Sequence, residues 1–98
     1  ESKRSGVYIG AMDADGVDAV YKIAINLRKN LPVIVSYEPK KLQKHLNAAD
    51  NANARICLCV GEDELKSGKI WLKDLSEKAE KTLDLADLET ELKRILNV

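Results

Sequence analysis

Hydrophobic and polar positions change their spacing several times along the chain. GVYIGAM, residues 6–12, is an unbroken apolar run rich in β-branched and aromatic residues, which predicts a short buried strand. Past the polar DADG, residues Val17, Val20, Tyr21, Ala24 and Leu27 recur at i, i+3, i+4, i+7 and i+10, the stripe of an amphipathic helix. Asp13 or Asp15 suits its N-cap, Asp18 its first turn, and Arg28 and Lys29 its last turn. Asn30 and Pro32 end it. PVIVSYE, residues 32–38, predicts a second strand, and Pro39 opens a second helix over PKKLQKHLNAADNAN with Leu42, Leu46 and Ala49 on one side. Asn53 stands where a left-handed stop belongs, and ARICLCV, residues 54–60, predicts a third strand.

Strand, helix, strand, helix, strand with short links implies two right-handed crossovers and a parallel core. The pattern then changes. A turn at Ser67–Gly68 leads into KIWLKDL, a further strand lies near EKTLDL across the SEKA turn, and Leu85, Leu88, Leu92, Ile95 and Leu96 mark a closing helix. The expected fold class is α/β: a mixed sheet of about five strands, a parallel βαβαβ core plus antiparallel strands, with three helices. Residues 1–98 are expected to form one domain. Tyr8, Tyr21 and Tyr37 read as core or core-edge residues rather than as a stacking platform.

Composition adds bounds. With 45% apolar and 33% charged residues the chain is an ordinary globular sequence. No apolar run approaches the roughly 18–20 residues that span a bilayer, and ESKRSGVYIG lacks the apolar core of a secretory signal. A first residue of Glu rather than Met suggests a processed or excised domain. Net charge is zero, unlike the basic surplus of most nucleic-acid-binding domains. The distribution matters more. Residues 1–49 hold eight Lys/Arg against five Asp/Glu, and residues 50–98 hold eight against eleven, so the halves carry about +3 and −3. The basic residues gather as Lys3–Arg4, Arg28–Lys29, and Lys40, Lys41, Lys44 and His45. Cys57 and Cys59 share one face of a strand, where they cannot bridge, and fit buried reduced thiols of an intracellular protein.

The candidate chemistry lies in RICLCVGEDELKSG, residues 55–68, where an apolar strand opens past Gly61 into Glu62, Asp63 and Glu64. A hard-metal site needs four or more converging oxygens, and only Asp13 and Asp15 could add to these three. DADG lacks the ligands of a calcium loop, with Val17 and Ala24 at ligand positions. Acid–base catalysis needs a pocket that separates two carboxyl pKa values, and neither a nucleophile–base set, a GxSxG nor a P-loop is present. An acidic loop that caps the next turn remains open, as does recognition. In recognition, carboxylates accept hydrogen bonds from base-edge amines and repel phosphates, while neighbouring lysines hold the backbone. PKKLQKH would supply those lysines at a helix N-terminus, unless they are simply a solvated helix face. Trp71 shares a strand face with Lys73, either to stack on an unpaired base or to cover a neighbouring helix.

KKLQKHLNAADNANARICLCVGEDELKSGKIWLKDL, residues 40–75, resembles the C-terminal anticodon-binding domain of histidyl-tRNA synthetases. The matching residues are Leu42, Lys44, Leu46, Ala49–Asp50, Ala54–Arg55, Gly61–Glu62–Asp63–Glu64–Leu65, Gly68 and Leu72–Lys73–Asp74–Leu75. The resemblance implies a class II synthetase whose catalytic domain precedes this segment and uses ATP, magnesium and histidine, with no cofactor in this domain itself. It implies a cytoplasmic homodimer, no membrane, and the anticodon stem-loop of histidine tRNA as partner. Glu62 and Glu64 would then meet base edges, Lys40, Lys41 and Lys44 would hold phosphates, and His45 would stack or donate. Where the family often has Gln, this chain has His45; Glu38–Pro39–Lys40 stand where Gly and Arg are common. Synthetase-like regulators borrow the same domain for sensing tRNA or binding proteins, which leaves a non-catalytic module as the alternative.

Overall fold

The structure is a computed structural model and describes residues 4–96, so Lys3 lies outside the described residues. Five strands and four helices follow in the order β1 (Val7–Ala11), α1 (Ala14–Arg28), β2 (Val33–Ser36), α2 (Leu42–Asn51), β3 (Ile56–Val60), α3 (Glu62–Ser67), β4 (Lys69–Asp74), β5 (Ala79–Asp84) and α4 (Leu88–Leu96), a 3-10 turn at Leu85–Asp87 leading into α4. The sheet order is β2-β1-β3-β4-β5. β1 pairs in parallel with β2 and β3, while β3–β4 and β4–β5 are antiparallel. The α/β class and the mixed five-stranded sheet expected from the sequence are therefore present.

β1 and β3 are buried along their whole length because the sheet is covered on both faces. On one face Val7, Ile9, Ile56, Leu58, Ile70 and Leu72 pack against Val20, Ala24 and Leu27 of α1 and Leu88 and Leu92 of α4. On the other, Tyr8, Cys57 and Cys59 pack with Ala49 of α2, and Trp71 lies partly buried against them. The free thiols of Cys57 and Cys59 thus face α2. Their mutual hydrogen bond and their burial push the Cys59 pKa up. At the amino end of β3, Arg55 donates two bonds to Asp74, at 2.8 and 3.1 Å, and Asp74 also accepts from the Ser76 and Glu77 N–H groups. Burial penalises this carboxylate, but Arg55 and those N–H groups outweigh it and hold its pKa low.

Several expectations need correction. The second helix begins at Leu42 rather than Pro39, because Lys41 is still extended (φ −67°, ψ 155°) and the Lys40 N–H bonds the Ala11 carbonyl at 3.1 Å. The carboxylate loop is a fourth helix, α3, of six residues. Asp15, not Asp18, occupies the first turn of α1. Tyr8 is buried as expected, but Tyr21 and Tyr37 are 53% and 45% exposed. Asn53 adopts the left-handed conformation at φ 59°.

Candidate functional site

Three parallel strands end along one edge of the sheet, and each exit leads into polar chain. β1 runs into Met12–Asp13, β2 into Tyr37–Lys41, and β3 into Gly61–Glu64. The chain leaves β1 towards β2 by α1 and crosses to β3 by α2, so the crevice between β1 and β3 is the place where the connections diverge. Ligands of open α/β sheets settle in such crevices.

Asp13 fills that crevice. Its Oδ1 accepts from the Gly16 N–H at 3.0 Å and caps α1, while its Oδ2 accepts from the Glu62 N–H at 2.9 Å and caps α3. One carboxylate therefore fixes two helix starts, each of which carries unsatisfied N–H groups. Glu64 completes the α3 cap from within: its Oε1 accepts from the Gly61 N–H at 2.7 Å. Gly16 permits the approach, since a Cβ there would stand 2.2 Å from the Val60 carbonyl oxygen.

This geometry separates the three acids. Glu64 is half-buried and occupied by the cap, so the acidic-loop reading and the recognition reading fall on different residues. Glu62 and Asp63 are exposed. Glu62 pairs with Lys66 one turn along α3 at 2.8 Å, an exposed i,i+4 pair of the kind worth only about 0.3–0.5 kcal/mol. Its carboxylate can leave Lys66 for a stronger donor at small cost.

Lys40, Lys41 and Lys44 line an open cleft of about 390 Å³ together with Glu38 and Pro39. The first turn of α2 has no acidic residue, and its cap position, Lys41, makes no side-chain capping bond. The partial positive charge of the helix start and the lysine charges therefore add. The cleft and the acidic turn are anchored two residues apart on one strand end: the Lys40 N–H on the Ala11 carbonyl, the Glu62 N–H on Asp13.

His45 is not part of this surface. Its side chain is fully buried, with Nε2 2.6 Å from the Ala11 carbonyl and Nδ1 2.9 Å from the Tyr8 hydroxyl. A carbonyl only accepts, so Nε2 carries the proton and Nδ1 accepts from Tyr8. Burial lowers the His45 pKa more than the Ala11 bond raises it, and Lys40 lowers it further. Burial likewise raises the Tyr8 pKa, against a hydrogen bond from Ser36. The ring fits because Gly10 has no side chain: a Cβ there would lie 2.3 Å from Nδ1. The expectation that His45 stacks on or donates to a ligand is thus corrected. It braces the Ala11 carbonyl that also holds Lys40. A glycine inside a strand was the available sign of this close approach.

Among the described residues no cluster of three or more His, Cys, Asp or Glu side chains is placed to hold a metal ion, and no helix is long and apolar enough to cross a membrane. Trp71 is half-buried against the α2 face.

The family description "Anticodon binding domain" matches residues 6–95. The chain is 57% identical over 90 residues to the histidine–tRNA ligase of Campylobacter concisus, covering 92% of this chain and 22% of that protein. It is 47% identical over 83 residues to that of Sulfurimonas denitrificans, covering 85% and 21%. In structure it is similar to the histidyl-tRNA synthetase of Nostoc, with a TM-score of 0.86 and 34% identity over 96% of this chain and 23% of that one. The RNA-binding domain of threonyl-tRNA synthetase from Cryptosporidium parvum shares the fold, with a TM-score of 0.80 at 16% identity over 92% of this chain and 23% of that one. The chain spans about a fifth of the length of the curated relatives it matches. On sheet order, helix placement and the extent of these matches, it belongs to the anticodon-binding domain family.

Proposed function

We propose that this chain is the anticodon-binding domain of a histidine–tRNA ligase and grips the anticodon stem-loop of histidine tRNA. The observation that carries the mechanism is the common anchorage of the Lys40 cleft and the Glu62 turn on Ala11 and Asp13. Lys40, Lys41 and Lys44 hold phosphates at the α2 N-terminus. Glu62 accepts from amino or imino N–H groups of exposed base edges and disfavours phosphates at its own position. Glu64, assigned to the same reading by resemblance, contributes by holding Gly61 and so the direction of Glu62. The ligase names of the relatives favour this over a synthetase-like regulator. ATP, magnesium and histidine belong to the catalytic region of the parent, which acts as a cytoplasmic homodimer; no residue of this domain is assigned to them.

The two roles separate by experiment. Binding of the domain to an RNA hairpin carrying the histidine anticodon is measured beside a hairpin with a substituted anticodon, each over a range of salt. Lys41→Ala weakens both hairpins alike and reduces the salt slope by about one. Glu62→Gln weakens the cognate hairpin about ten-fold relative to the other, the scale of one base-edge contact. Equal loss on both hairpins for Glu62→Gln removes its reading role.

A further inference from the structure

One apolar side chain stands between the two anchored halves of the binding edge. Met12 joins Ala11, whose carbonyl takes the Lys40 N–H at 3.1 Å, to Asp13, whose Oδ2 takes the Glu62 N–H at 2.9 Å. Side chains alternate along β1, so Val7, Ile9 and Ala11 face α1 and α4, while Tyr8 and Gly10 face α2. The Met12 N–H bonds the Val60 carbonyl at 2.9 Å. This bond carries the β1–β3 ladder one residue past the strand and puts Met12 on the α2 side, where the lysines begin their helix. Across the ladder it meets Gly61: a Cβ there would lie 3.3 Å from the Met12 Cβ, and glycine leaves that flank of the methionine bare. Tyr8 and Gly10 are buried, so Met12 is the first residue of this face that solvent reaches along β1. It is 36% exposed and belongs to neither buried apolar cluster.

We infer that Met12 is the apolar pad for the face of one unpaired base of the RNA loop, set between the phosphates on Lys40, Lys41 and Lys44 and the base edge at Glu62. A lysine cleft and a carboxylate each recognise a charged or polar part of a nucleotide, and neither covers the apolar face of the ring. Surfaces that bind single strands cover it with a side chain, most often an aromatic one. Tyr8, the aromatic residue of β1 on this face, is buried and bonded to His45, which leaves Met12. A thioether is polarisable and makes favourable contacts with π systems, and its three rotatable bonds fit it to whichever base is presented. The pad therefore adds affinity with little regard to base identity, which stays with Glu62.

The assignment rests on the tRNA-binding reading, and the two are tested apart. Met12 is the one methionine of the chain, so carbon-13 labelling of the methionine methyl gives a single NMR signal, absent from Met12→Leu. The labelled domain is titrated with the histidine-anticodon hairpin and with a blunt RNA duplex of the same stem. The hairpin moves the methyl signal upfield, as the ring current over a base face requires, and cross-relaxation links the methyl to base protons; the duplex does neither. Met12→Ala weakens hairpin binding about three- to ten-fold, the scale of a sulfur–ring contact, and leaves duplex binding unchanged. Met12→Leu, which keeps the apolar volume, binds the hairpin within about two-fold of the unsubstituted domain. A methyl signal unmoved at saturation with the hairpin, or unchanged hairpin binding in Met12→Ala, overturns the pad and leaves the lysine and glutamate roles standing. Equal losses on hairpin and duplex in Met12→Ala overturn it too, since a duplex presents no free base face. Failure of the unsubstituted domain to bind the hairpin overturns both readings. The methyl signal is read on the unsubstituted domain, so the test does not depend on how any variant folds.

Discussion

At the scale of single residues, His45 decides how the binding edge is held. Among Lys44, His45 and Leu46 the sequence offers no sign of burial, since neighbours of opposite character flank the ring. Helical spacing does: His45 lies three residues past Leu42 and four before Ala49, inside the apolar stripe. Gly10 supplies the space. Tyr21 and Tyr37 show the converse, since an aromatic at a helical i+4 position or a strand end is as compatible with a half-open ring pair as with a core. His45 is the one histidine of the chain, so no other side chain of ordinary pKa titrates between about pH 5 and pH 8. Its pKa is depressed in the fold, chiefly by burial. The unfolded chain therefore takes up a proton first, below about pH 6.5, and the contribution of neutral His45 is complete above that pH and lost as the pH falls towards the folded value. The His45→Gln variant keeps a donor for Ala11 and an acceptor for Tyr8 but cannot titrate. Urea unfolding at a series of pH values is expected to show stability falling less steeply in His45→Gln than in the unsubstituted chain between about pH 6.5 and pH 5. Parallel curves would contradict the buried neutral imidazole.

At the scale of elements, the legible features were a long repeating pattern or an unbroken apolar run. α1 follows from helical apolar spacing along its length, and β1 and β3 follow from continuous apolar stretches. α3 was not legible as a helix because its six residues, EDELKS, are too few to show a period. Its start is set by Asp13, a residue 49 positions away in sequence. The α2 boundary was displaced for a related reason. Proline does favour a helix start, but the bond from Lys40 to Ala11 keeps the following backbone extended. Such tertiary bonds carry no local sequence signal. The double cap makes a specific demand on Asp13. Asp13→Ala removes acceptors from both Gly16 and Glu62 and is expected to cost about 1–2 kcal/mol in denaturant unfolding, the range for losing an N-cap. Amide exchange of Glu62 should accelerate more than that of β1 or β3 residues, since α3 has no buried residue of its own to hold it. Exchange accelerated equally across the sheet would place the role of Asp13 in global stability alone.

At the scale of the whole molecule, the two ends of the sheet have different duties. Arg55 and Asp74, both within the family resemblance, lie at the amino end of β3 and tie the β4–β5 turn to it. The carboxyl ends of β1, β2 and β3 gather the lysine cleft and the exposed acids of α3. The opposite charge of the two sequence halves thus becomes proximity of unlike charges at one edge, and zero net charge no longer weighs against a polyanion partner. Fold class was readable from period; which of Glu62 and Glu64 is taken up by a helix cap was not, because it depends on which carboxylate reaches a backbone N–H. Mapping the backbone amides of the isotopically labelled domain by NMR, while adding the histidine-anticodon hairpin, tests this arrangement directly. Perturbations confined to residues 11–13, 37–45 and 61–66, with Arg55, Asp74 and the β4–β5 turn unaffected, are the expected result. Perturbations centred on the Arg55–Asp74 end, with the Lys40 cleft and the Glu62 turn silent, would contradict it.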